Sequence, residues 1–425
     1  MRLPALILGT TTKALAALSI VALSACNLDV TNPNAATEEG VLTTAAGLRA
    51  VAIGMQGRLG NAMEESITVP GLVSGELGNT NATQSTTREF QQFPTPSANS
   101  AIEETNVDLL DIWTKNYQVV KSANDILDNI DNVGFTAGTK AGMLALAKLH
   151  KAISFGNLIE AFEQIPIDNV ATPAFADRPT VLAAILSLLA SAKVDAQSTA
   201  LSTEFTGSIL APGFDLLNTI RAMQARYSLA AGSYDNAITF ANEIPGTAAS
   251  QITFAATDPN TLADLYHRSK FFGAIASYRT NAEAGDNRVN RFTTATALNA
   301  FGGASLVETN IFLTDPDPIP LFSQDELNLI KAEAYARTNR LPEAINEINI
   351  VRNRAGLLPK TAVDLPTQAE VLAEIFRQRT YSLFSAGLHW ADERRFGLIS
   401  MAKVRYLPYP FAERATNPNT PPNPT

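Results

Sequence analysis

The stretch LFSQDELNLIKAEAYARTNRLPEAINEINIVRNRAGL, residues 321–357, predicts a tight pair of helices. Apolar residues recur at helical spacing over 327–336 and again over 341–355. Between these segments, Asn339 is a residue type that tolerates the left-handed backbone conformation in which helices often end. Pro342 suits the first turn of the second helix, because its missing amide hydrogen would have no intrahelical partner there. The stretch therefore predicts a helix–turn–helix.

Two capping boxes indicate where helices begin. Ser323 precedes Glu326 by three positions, and Thr367 precedes Glu370 in the same way. In such a box the hydroxyl accepts a hydrogen bond from the third residue's amide, and the Glu side chain reaches back to the cap residue. We therefore expect one helix to begin directly after Ser323 and another directly after Thr367.

A second helix pair with a similar pattern occurs upstream, in YSLAAGSYDNAITFANEI, residues 227–244. Superposing the two stretches aligns Ala237 with Ala344 and Gly232 with Asn339. These units resemble tetratricopeptide repeats, whose stacked helix pairs bury a continuous core and present a surface to partners. The alternative is that any two antiparallel helices share such a pattern. The repeat interpretation implies a partner surface without naming the partner.

Helical spacing dominates the remainder of the chain, and strand signals are scarce. Apolar residues recur with a helical period over 112–130, 143–162, 181–194, 216–231, 234–244, 262–278 and 371–383, in addition to the two segments above. Two long polar stretches, 74–106 and 281–320, interrupt these segments, and loops of that length are usually functional or disordered. The sequence predicts a mainly α fold with tetratricopeptide-like helix pairs, long irregular loops and few short strands.

The N-terminus has the layout of a secretory signal peptide. Arg2 and Lys13 precede the apolar run ALAALSIVAL, residues 14–23, which is too short to span a bilayer as a mature helix. The following LSAC ends in Cys26, the only cysteine of the chain, and resembles the lipobox of bacterial lipoproteins. We therefore predict a signal peptide over 1–25, a tether over 26–40 that is lipidated at Cys26, and a single helical domain over 41–425.

Composition and motifs argue against several classes of function. The net charge of −9 disfavours nucleic acid and anionic lipid surfaces as partners. The three histidines are far apart in sequence, and neither a zinc-protease motif nor an EF-hand calcium loop is present, so no metal site is predicted. The motifs of serine hydrolases and of P-loop nucleotide binding are also missing. We expect a binding protein without a cofactor, and not an enzyme.

Several further stretches share the motifs of one known family. They are DIWTKNYQVVKSANDILDNI (111–130), AKLHKAISFGNLIEAFEQIPI (147–167), GLHWADERRFG (387–397) and YLPYPFAERATNPNTPPNPT (406–425). With the opening stretch and the lipobox, they run nearly end to end along the chain. In number and order they resemble the SusD/RagB-like outer-membrane lipoproteins, which work with TonB-dependent transporters in nutrient uptake.

The resemblance implies a lipid-anchored protein on the outer face of the outer membrane. It would act as a lid over a SusC-like TonB-dependent transporter and capture a nutrient, most simply an oligosaccharide. The same uptake role for peptides or another nutrient stays open. A further alternative is a tetratricopeptide-type scaffold lipoprotein that binds no small-molecule ligand.

The chain departs from the family pattern at two connected places. The family usually has Glu-Arg before Glu-Gly-x-Arg, whereas this chain has Gln378-Arg379 and then Ala-Gly-Leu-His at 386–389. Joint replacement of a Glu and an Arg fits the loss of an internal ion pair, since one buried partner left alone would cost several kcal/mol. Arg379 falls on the apolar side of its predicted helix. It therefore needs an anion, and we predict a structural ion pair with Asp392.

The two long polar stretches are the best candidates for ligand contacts. Sugar sites generally combine an aromatic ring with amide and charged side chains that bond to hydroxyls. Both tryptophans, Trp113 and Trp390, fall at positions typical of core packing. The candidate ligand-binding residues are instead Asn79, Asn81, Gln84, Arg88 and Phe90 of the first stretch, joined by Arg288 and Arg291 of the second.

Overall fold

The computed structural model describes residues 38–92, 102–399 and 404–424. The predicted signal peptide, Cys26 and nearly all of the predicted tether lie outside the described residues. The described chain is mainly helical with a few short strands, so the predicted fold class is confirmed.

The first half of the chain is a series of helices that pack on one another. They are α1 (Glu38–Leu42), α2 (Ala45–Ser74), α3 (Ser85–Arg88), α4 (Val107–Asn129), α5 (Ala137–Ala161) and α6 (Arg178–Ser198). α4 contacts both α2 and α5, and α6 contacts α5. The four long helices start at residues whose side chains accept hydrogen bonds from first-turn amides, namely Thr44, Asn106, Thr136 and Asp177.

The second half supplies shorter helices. They are α7 (Leu216–Ala230), α8 (Tyr234–Asn242), α9 (Thr261–Ala263), α10 (Ser277–Thr280), α11 (Gln324–Arg337), α12 (Leu341–Arg354), α13 (Gln368–Ser382), α14 (His389–Arg395) and α15 (Phe411–Thr416). α7 packs against α6, which continues the series from the first half.

The two predicted helix–turn–helix units are present. α7 and α8 form one pair, α11 and α12 the other, and α8 contacts α11 so that the pairs stack. The turns contain Gly232 at φ 74° and Asn339 at φ 59°, the left-handed conformation that the sequence predicts. A separate apolar cluster joins α11, α12 and α13 through Leu329, Ile348 and Ile375. α11 also contributes residues to the main core that contains α7 and α8, so the two pairs share buried apolar surface.

The strands are short and antiparallel. They are β1 (Leu77–Asn79), β2 (Gln164–Pro166), β3 (Phe175–Asp177), β4 (Ser250–Ile252), β5 (Phe272–Ile275), β6 (Phe292–Ala297), β7 (Leu306–Thr309) and β8 (Ile319–Phe322). One four-stranded sheet has the order β1-β5-β7-β6, while β2 pairs with β3 and β4 with β8. β1 pairs with β5 from Leu77 opposite Ala274 to Asn79 opposite Phe272.

The predicted helix over 262–278 is wrong. Helical structure in this region continues from α9 only through the π-helical turn Asp264–Arg268, and Lys270 then adopts φ 49°. The next apolar residues form β5, in which all four residues are buried. A short apolar run buried on both faces lacks the alternation of a half-exposed strand, so periodicity cannot distinguish it from a helix.

The two capping boxes differ in completeness. Thr367 Oγ1 accepts from the Glu370 amide at 3.3 Å, and Glu370 Oε2 accepts from the Thr367 amide at 3.0 Å. Ser323 Oγ accepts from the Glu326 amide at 3.1 Å, but the Glu326 carboxylate pairs with Arg226 instead. Both helices begin where the sequence predicts, because the hydroxyl half of each box is present.

Among the described helices, α6 alone is long and apolar enough to cross a membrane by length and composition. α6 includes the whole segment 181–194, in which apolar residues recur at helical spacing. Val181, Ile185 and Leu189 are fully buried, and the helix contacts α5 and α7. This side of α6 belongs to the core of the helical body.

The C-terminal segment returns to the first half of the chain. The Leu407 amide donates to the Ala161 carbonyl at 2.9 Å, and the Gln164 amide donates to the Tyr409 hydroxyl at 3.2 Å. Leu407 and Tyr409 are fully buried. Farther along, Arg414 pairs with Glu104 at 3.0 Å. The last helices are therefore attached to α4, α5 and their connections.

Candidate functional site

The two long polar stretches meet on one surface. The Asn81 amide donates to the Asn299 carbonyl at 2.7 Å, and Asn81 Nδ2 donates to Asn299 Oδ1 at 2.9 Å. Thr80 and Ala300 form an isolated antiparallel bridge beside these bonds. The pairing brings the start of the first stretch against the segment that follows β6.

An aromatic ring and a guanidinium lie at this contact. The Arg88 guanidinium carbon is 4.5 Å from the centroid of the Phe301 ring, and Arg88 Nη2 donates to the Asn81 carbonyl at 2.7 Å. Phe301 is half-buried, and the next two residues are exposed glycines at φ 66° and 75°. We call Asn81, Gln84, Arg88, Asn299 and Phe301 the Phe301 loop junction.

The Phe301 loop junction combines the groups that a hydroxylated ligand needs. Asn81 and Gln84 are exposed, and Arg88 is partly exposed. Gln91 holds the backbone at this position, since its Nε2 donates to the Phe301 carbonyl at 3.3 Å. A ring flanked by amides and a guanidinium can offer apolar contact together with donors and acceptors.

Two predicted residues of the first stretch lie inside the protein. Phe90 and Asn79 are both 0% exposed, and Phe90 belongs to the main core. The Asn79 amide donates to Gln91 Oε1 at 2.8 Å, and Asn79 Nδ2 donates to the Thr87 carbonyl at 3.3 Å. Because they are buried, these two side chains shape the loop from within and present no ligand surface in this structure.

The two predicted arginines of the second stretch lie elsewhere, at the C-terminal end of α13. Arg288 is 6% exposed, pairs with Asp286 at 2.7 Å and donates to Ser382 Oγ at 2.8 Å. Arg291 Nη1 donates to the carbonyls of Tyr381 and Ser382 at 2.9 and 3.0 Å. Both arginines therefore bond to Asp286 or to the end of α13 and not to the Phe301 loop junction.

Arg291 lines a cavity of about 370 Å³ between the helical body and the second stretch. We call it the central cavity. Its walls come from α2, α5 and α7, from the segment 311–323 and from the turn at 382–386. Most of these walls are apolar. The second polar stretch thus contributes residues both to the Phe301 loop junction and to the central cavity.

A second cavity, of about 300 Å³, lies beside Trp113. Trp113 is only 6% exposed, and its ring packs against Tyr117 and Phe162 at centroid distances of 5.0 and 4.9 Å. Trp390 is 1% exposed and donates from Nε1 to the Val404 carbonyl at 3.1 Å. Both tryptophans are thus packed in the protein and offer little free ring face.

The residues of the predicted structural ion pair are buried and in contact. Arg379 Nε lies 2.7 Å from Asp392 Oδ2, with side chains 4% and 2% exposed. Arg395 bonds to both Asp392 and Glu333 at 2.7 Å. Burial alone would raise the pKa of Asp392, but the guanidiniums of Arg379 and Arg395 outweigh it and hold that pKa below its usual value.

A comparable pairing joins α5 to α14. Glu160 accepts from Arg178 at 2.6 Å and from Arg394 at 2.9 Å. Burial would raise its pKa, but the two guanidiniums lower the pKa of Glu160 to about 2. Each of these charged groups contacts an opposite charge within the protein, which is typical of a structural network rather than of reacting groups.

The described residues contain no group of three or more His, Cys, Asp or Glu side chains placed to hold a metal ion. His150 is buried, its Nδ1 lies 2.9 Å from the Leu146 carbonyl oxygen, and burial lowers its pKa to about 4. This histidine is therefore neutral at physiological pH and packs as a core residue.

Sequence reasoning missed Phe301 and Asn299, although both lie within the predicted second stretch. An aromatic residue directly before two glycines, in NAFGG at 299–303, was the available signal. Which residues of the first stretch it would meet depends on the pairing of β1, β5, β7 and β6. That pairing is a tertiary property.

The stacked helix pairs place this fold among the helical-repeat architectures, here with long polar loops between the helices. The SusD family model matches residues 320–423, the part of the chain that contains the 321–357 stretch. No curated protein sequence matches the chain significantly.

Solved structures share the fold over most of the chain. A SusD superfamily protein from Bacteroides thetaiotaomicron superposes with a TM-score of 0.69 at 15% identity, covering 90% of this chain and 98% of that one. A SusD-like carbohydrate binding protein from Bacteroides vulgatus gives 0.65 at 18%, covering 82% and 83%. A SusD superfamily protein from Parabacteroides distasonis gives 0.67 at 16%, covering 84% and 93%. The fold of the chain is therefore SusD-like, and the SusD family model matches its C-terminal quarter, so the resemblance seen in the motifs is confirmed.

Proposed function

We propose that this SusD-like protein is a surface lipoprotein that binds an oligosaccharide and passes it to a SusC-like TonB-dependent transporter of the outer membrane. The family match over 320–423 supports an uptake role. A structural relative described as a carbohydrate binding protein supports a glycan as the ligand class. Binding and release suffice for this role, so the protein itself needs no catalytic group.

One observation carries the assignment of the ligand site, namely the convergence of the two polar stretches around Phe301. The partly exposed Arg88 guanidinium lies over the Phe301 ring, and Asn81 bonds to Asn299, two residues before that ring. The side chains of Asn81 and Gln84 are exposed. A sugar ring could pack on the accessible part of Phe301 while its hydroxyls bond to the amides and the guanidinium. We propose the Phe301 loop junction as the glycan site.

Replacing Phe301 with alanine is expected to weaken oligosaccharide binding roughly tenfold or more, because the apolar contact to the sugar face is lost. Titration calorimetry with a panel of oligosaccharides and peptides first identifies a ligand for the wild-type protein. The same titration is then repeated on the variant, with circular dichroism to verify folding.

Phe411→Ala is the matched control, because Phe411 is 56% exposed and belongs to α15, whose contacts are with the C-terminal segment and Glu104. Its affinity for the oligosaccharide should be unchanged. If the wild type and Phe301→Ala bind the oligosaccharide with equal affinity, the glycan does not bind at the Phe301 loop junction. A panel in which peptides bind and no oligosaccharide does would favour the peptide alternative.

The anchor and the transporter partner are tested on the native protein in its own membrane. We expect mass spectrometry to find an acylated Cys26 at the mature N-terminus and protease treatment of intact cells to release the protein. Affinity purification from detergent extracts should recover a large β-barrel protein. Recovery of other envelope proteins without a barrel would favour the scaffold alternative, and an unmodified thiol at Cys26 would exclude the anchor.

A further inference from the structure

The central cavity is mostly apolar but contains an arginine. Met63 and Ile67 of α2, Ile153 of α5 and Ile311 and Phe384 of the connecting segments are among its apolar walls. Its volume of about 370 Å³ lies within the range of ligand pockets, roughly 300–1,000 Å³. Arg291 is only partly exposed at this wall. The cavity therefore has the size of a small-molecule site, with the partly exposed guanidinium of Arg291 in its wall.

Three other arginines near Arg291 are paired with carboxylates. Arg226, which also lines the cavity, holds Glu326 through two bonds of 2.6 and 2.8 Å. Arg288 is paired with Asp286 at 2.7 Å, and Arg354 with Asp325 at 2.9 Å. The nearby acids Asp286, Glu326 and Asp325 therefore already have cationic partners of their own.

Arg291 differs from these neighbours because it forms no ion pair with any carboxylate in the described part of the chain. Within the described residues, its guanidinium donates two hydrogen bonds, both from Nη1 to backbone carbonyls of α13. Asp317 also lines the cavity, but its carboxylate oxygens accept from the hydroxyl and amide of Thr314 at 2.6 and 3.2 Å. Within the described residues, no carboxylate therefore bonds directly to the guanidinium of Arg291.

An unneutralised guanidinium beside apolar walls is energetically unfavourable. Burial and the nearby positive charge of Arg288 lower the pKa of Arg291 below its usual value, and the carboxylates of Asp325 and Asp286 offset this only in part. An arginine nevertheless stays protonated at physiological pH, so it cannot relieve this cost by losing a proton. A bound anion would relieve it, and a planar carboxylate matches the fork of a guanidinium.

We infer that the central cavity is a second ligand site, separate from the Phe301 loop junction, for a small carboxylate with an apolar body. The guanidinium of Arg291 would hold the carboxylate, and the side chains of α2, α5 and the 311–323 segment would enclose the apolar part. This inference stands independently of the proposed glycan site, because no residue of the Phe301 loop junction lines the cavity.

The test uses the full chain and two pairs of probes, benzoate with benzamide and hexanoate with hexanamide. Each pair differs in charge but hardly in shape, and binding is measured by ligand-observed NMR and calorimetry. We expect each carboxylate to bind at least about tenfold more tightly than its amide. Arg291→Gln should abolish this preference, whereas Arg405→Gln, which removes an exposed arginine elsewhere, should retain it.

A cavity-filling variant, Ile311→Trp, keeps the test informative if Arg291→Gln folds poorly. It leaves every charge in place and should weaken the binding of both members of each pair. The inference is overturned if the carboxylates do not bind at millimolar concentration, if they bind no better than the amides, or if Arg291→Gln binds them as the wild type does. Phe301→Ala should bind benzoate normally, so a failure of the glycan proposal is distinguishable from a failure of this one.

Discussion

Replacing Asp392 with leucine is expected to lower the free energy of unfolding by about 3–5 kcal/mol. Asp392 is 1% exposed and is the carboxylate that neutralises Arg379, itself 4% exposed. Its removal leaves the Arg379 charge buried without a counter-ion, whereas Arg395 keeps Glu333 as a partner at 2.7 Å. Chemical denaturation monitored by circular dichroism measures the loss.

The double variant Arg379→Met/Asp392→Leu provides the internal control. Both charges are then replaced by apolar groups of similar length, so we expect much of the lost stability to return. Asp125→Leu, which removes the partner of the exposed Lys121, should have a far smaller effect because surface ion pairs contribute little. A double variant no more stable than Asp392→Leu alone would show that the buried pair is not the cause.

The pH dependence of the Asp392 effect has a defined sign. The pKa of Asp392 is lowered in the folded protein by Arg379 and Arg395, which act against its burial. The pair therefore contributes fully above the ordinary carboxyl pKa of about 3.9 and loses its contribution as the pH falls through the lower folded value. The stability gap between wild type and Asp392→Leu should be constant near neutral pH and narrow only in strong acid.

The second large effect is expected for Gly387→Ala, which should destabilise the protein by about 3 kcal/mol or more. Gly387 has φ 73°, which is unfavourable for residues with a Cβ. An added Cβ would also lie 2.3 Å from the Ser66 carbonyl oxygen of α2. This atom belongs to a helix backbone, so it cannot move without disturbing α2. Thermal and chemical unfolding measure the change.

Gly397 is the matched control for this substitution. It has a similar φ of 70°, but an added Cβ would meet no atom of the described residues within 4 Å. Gly397→Ala should therefore cost only the conformational term, about 1 kcal/mol. The difference between the two variants measures the contact of the 383–388 turn with α2. Equal losses for both glycines would indicate that this contact contributes nothing.

Local sequence signals predicted the features of the fold that depend on local physics. The helix pairs follow from apolar spacing, and their turns were found because Gly232 and Asn339 are the residue types that adopt positive φ. The Ser323 and Thr367 caps marked helix starts for a similarly local reason. Each of these features depends on interactions between residues close in sequence, and a single sequence contains that information.

The features that the sequence did not reveal depend on distant partners. Phe90 is an aromatic residue in a polar stretch, which suggested a ligand contact, but the packing of that stretch on the body buries it. β5 was mistaken for helix because its partners β1 and β7 come from far along the chain. The Phe301 loop junction depends on the same sheet, so Asn81 and Arg88 could be predicted as candidates but not their contact with Phe301.

The return of the C-terminal segment to α5 has a practical consequence for truncation. A chain that begins at residue 320 would keep the whole region, 320–423, that the SusD family model matches. It would lack the Ala161 carbonyl that receives the Leu407 amide, as well as the Glu160 carboxylate that neutralises Arg394. A fragment cut at the boundaries of the matched region would therefore separate the C-terminal segment from the end of α5, on which it packs.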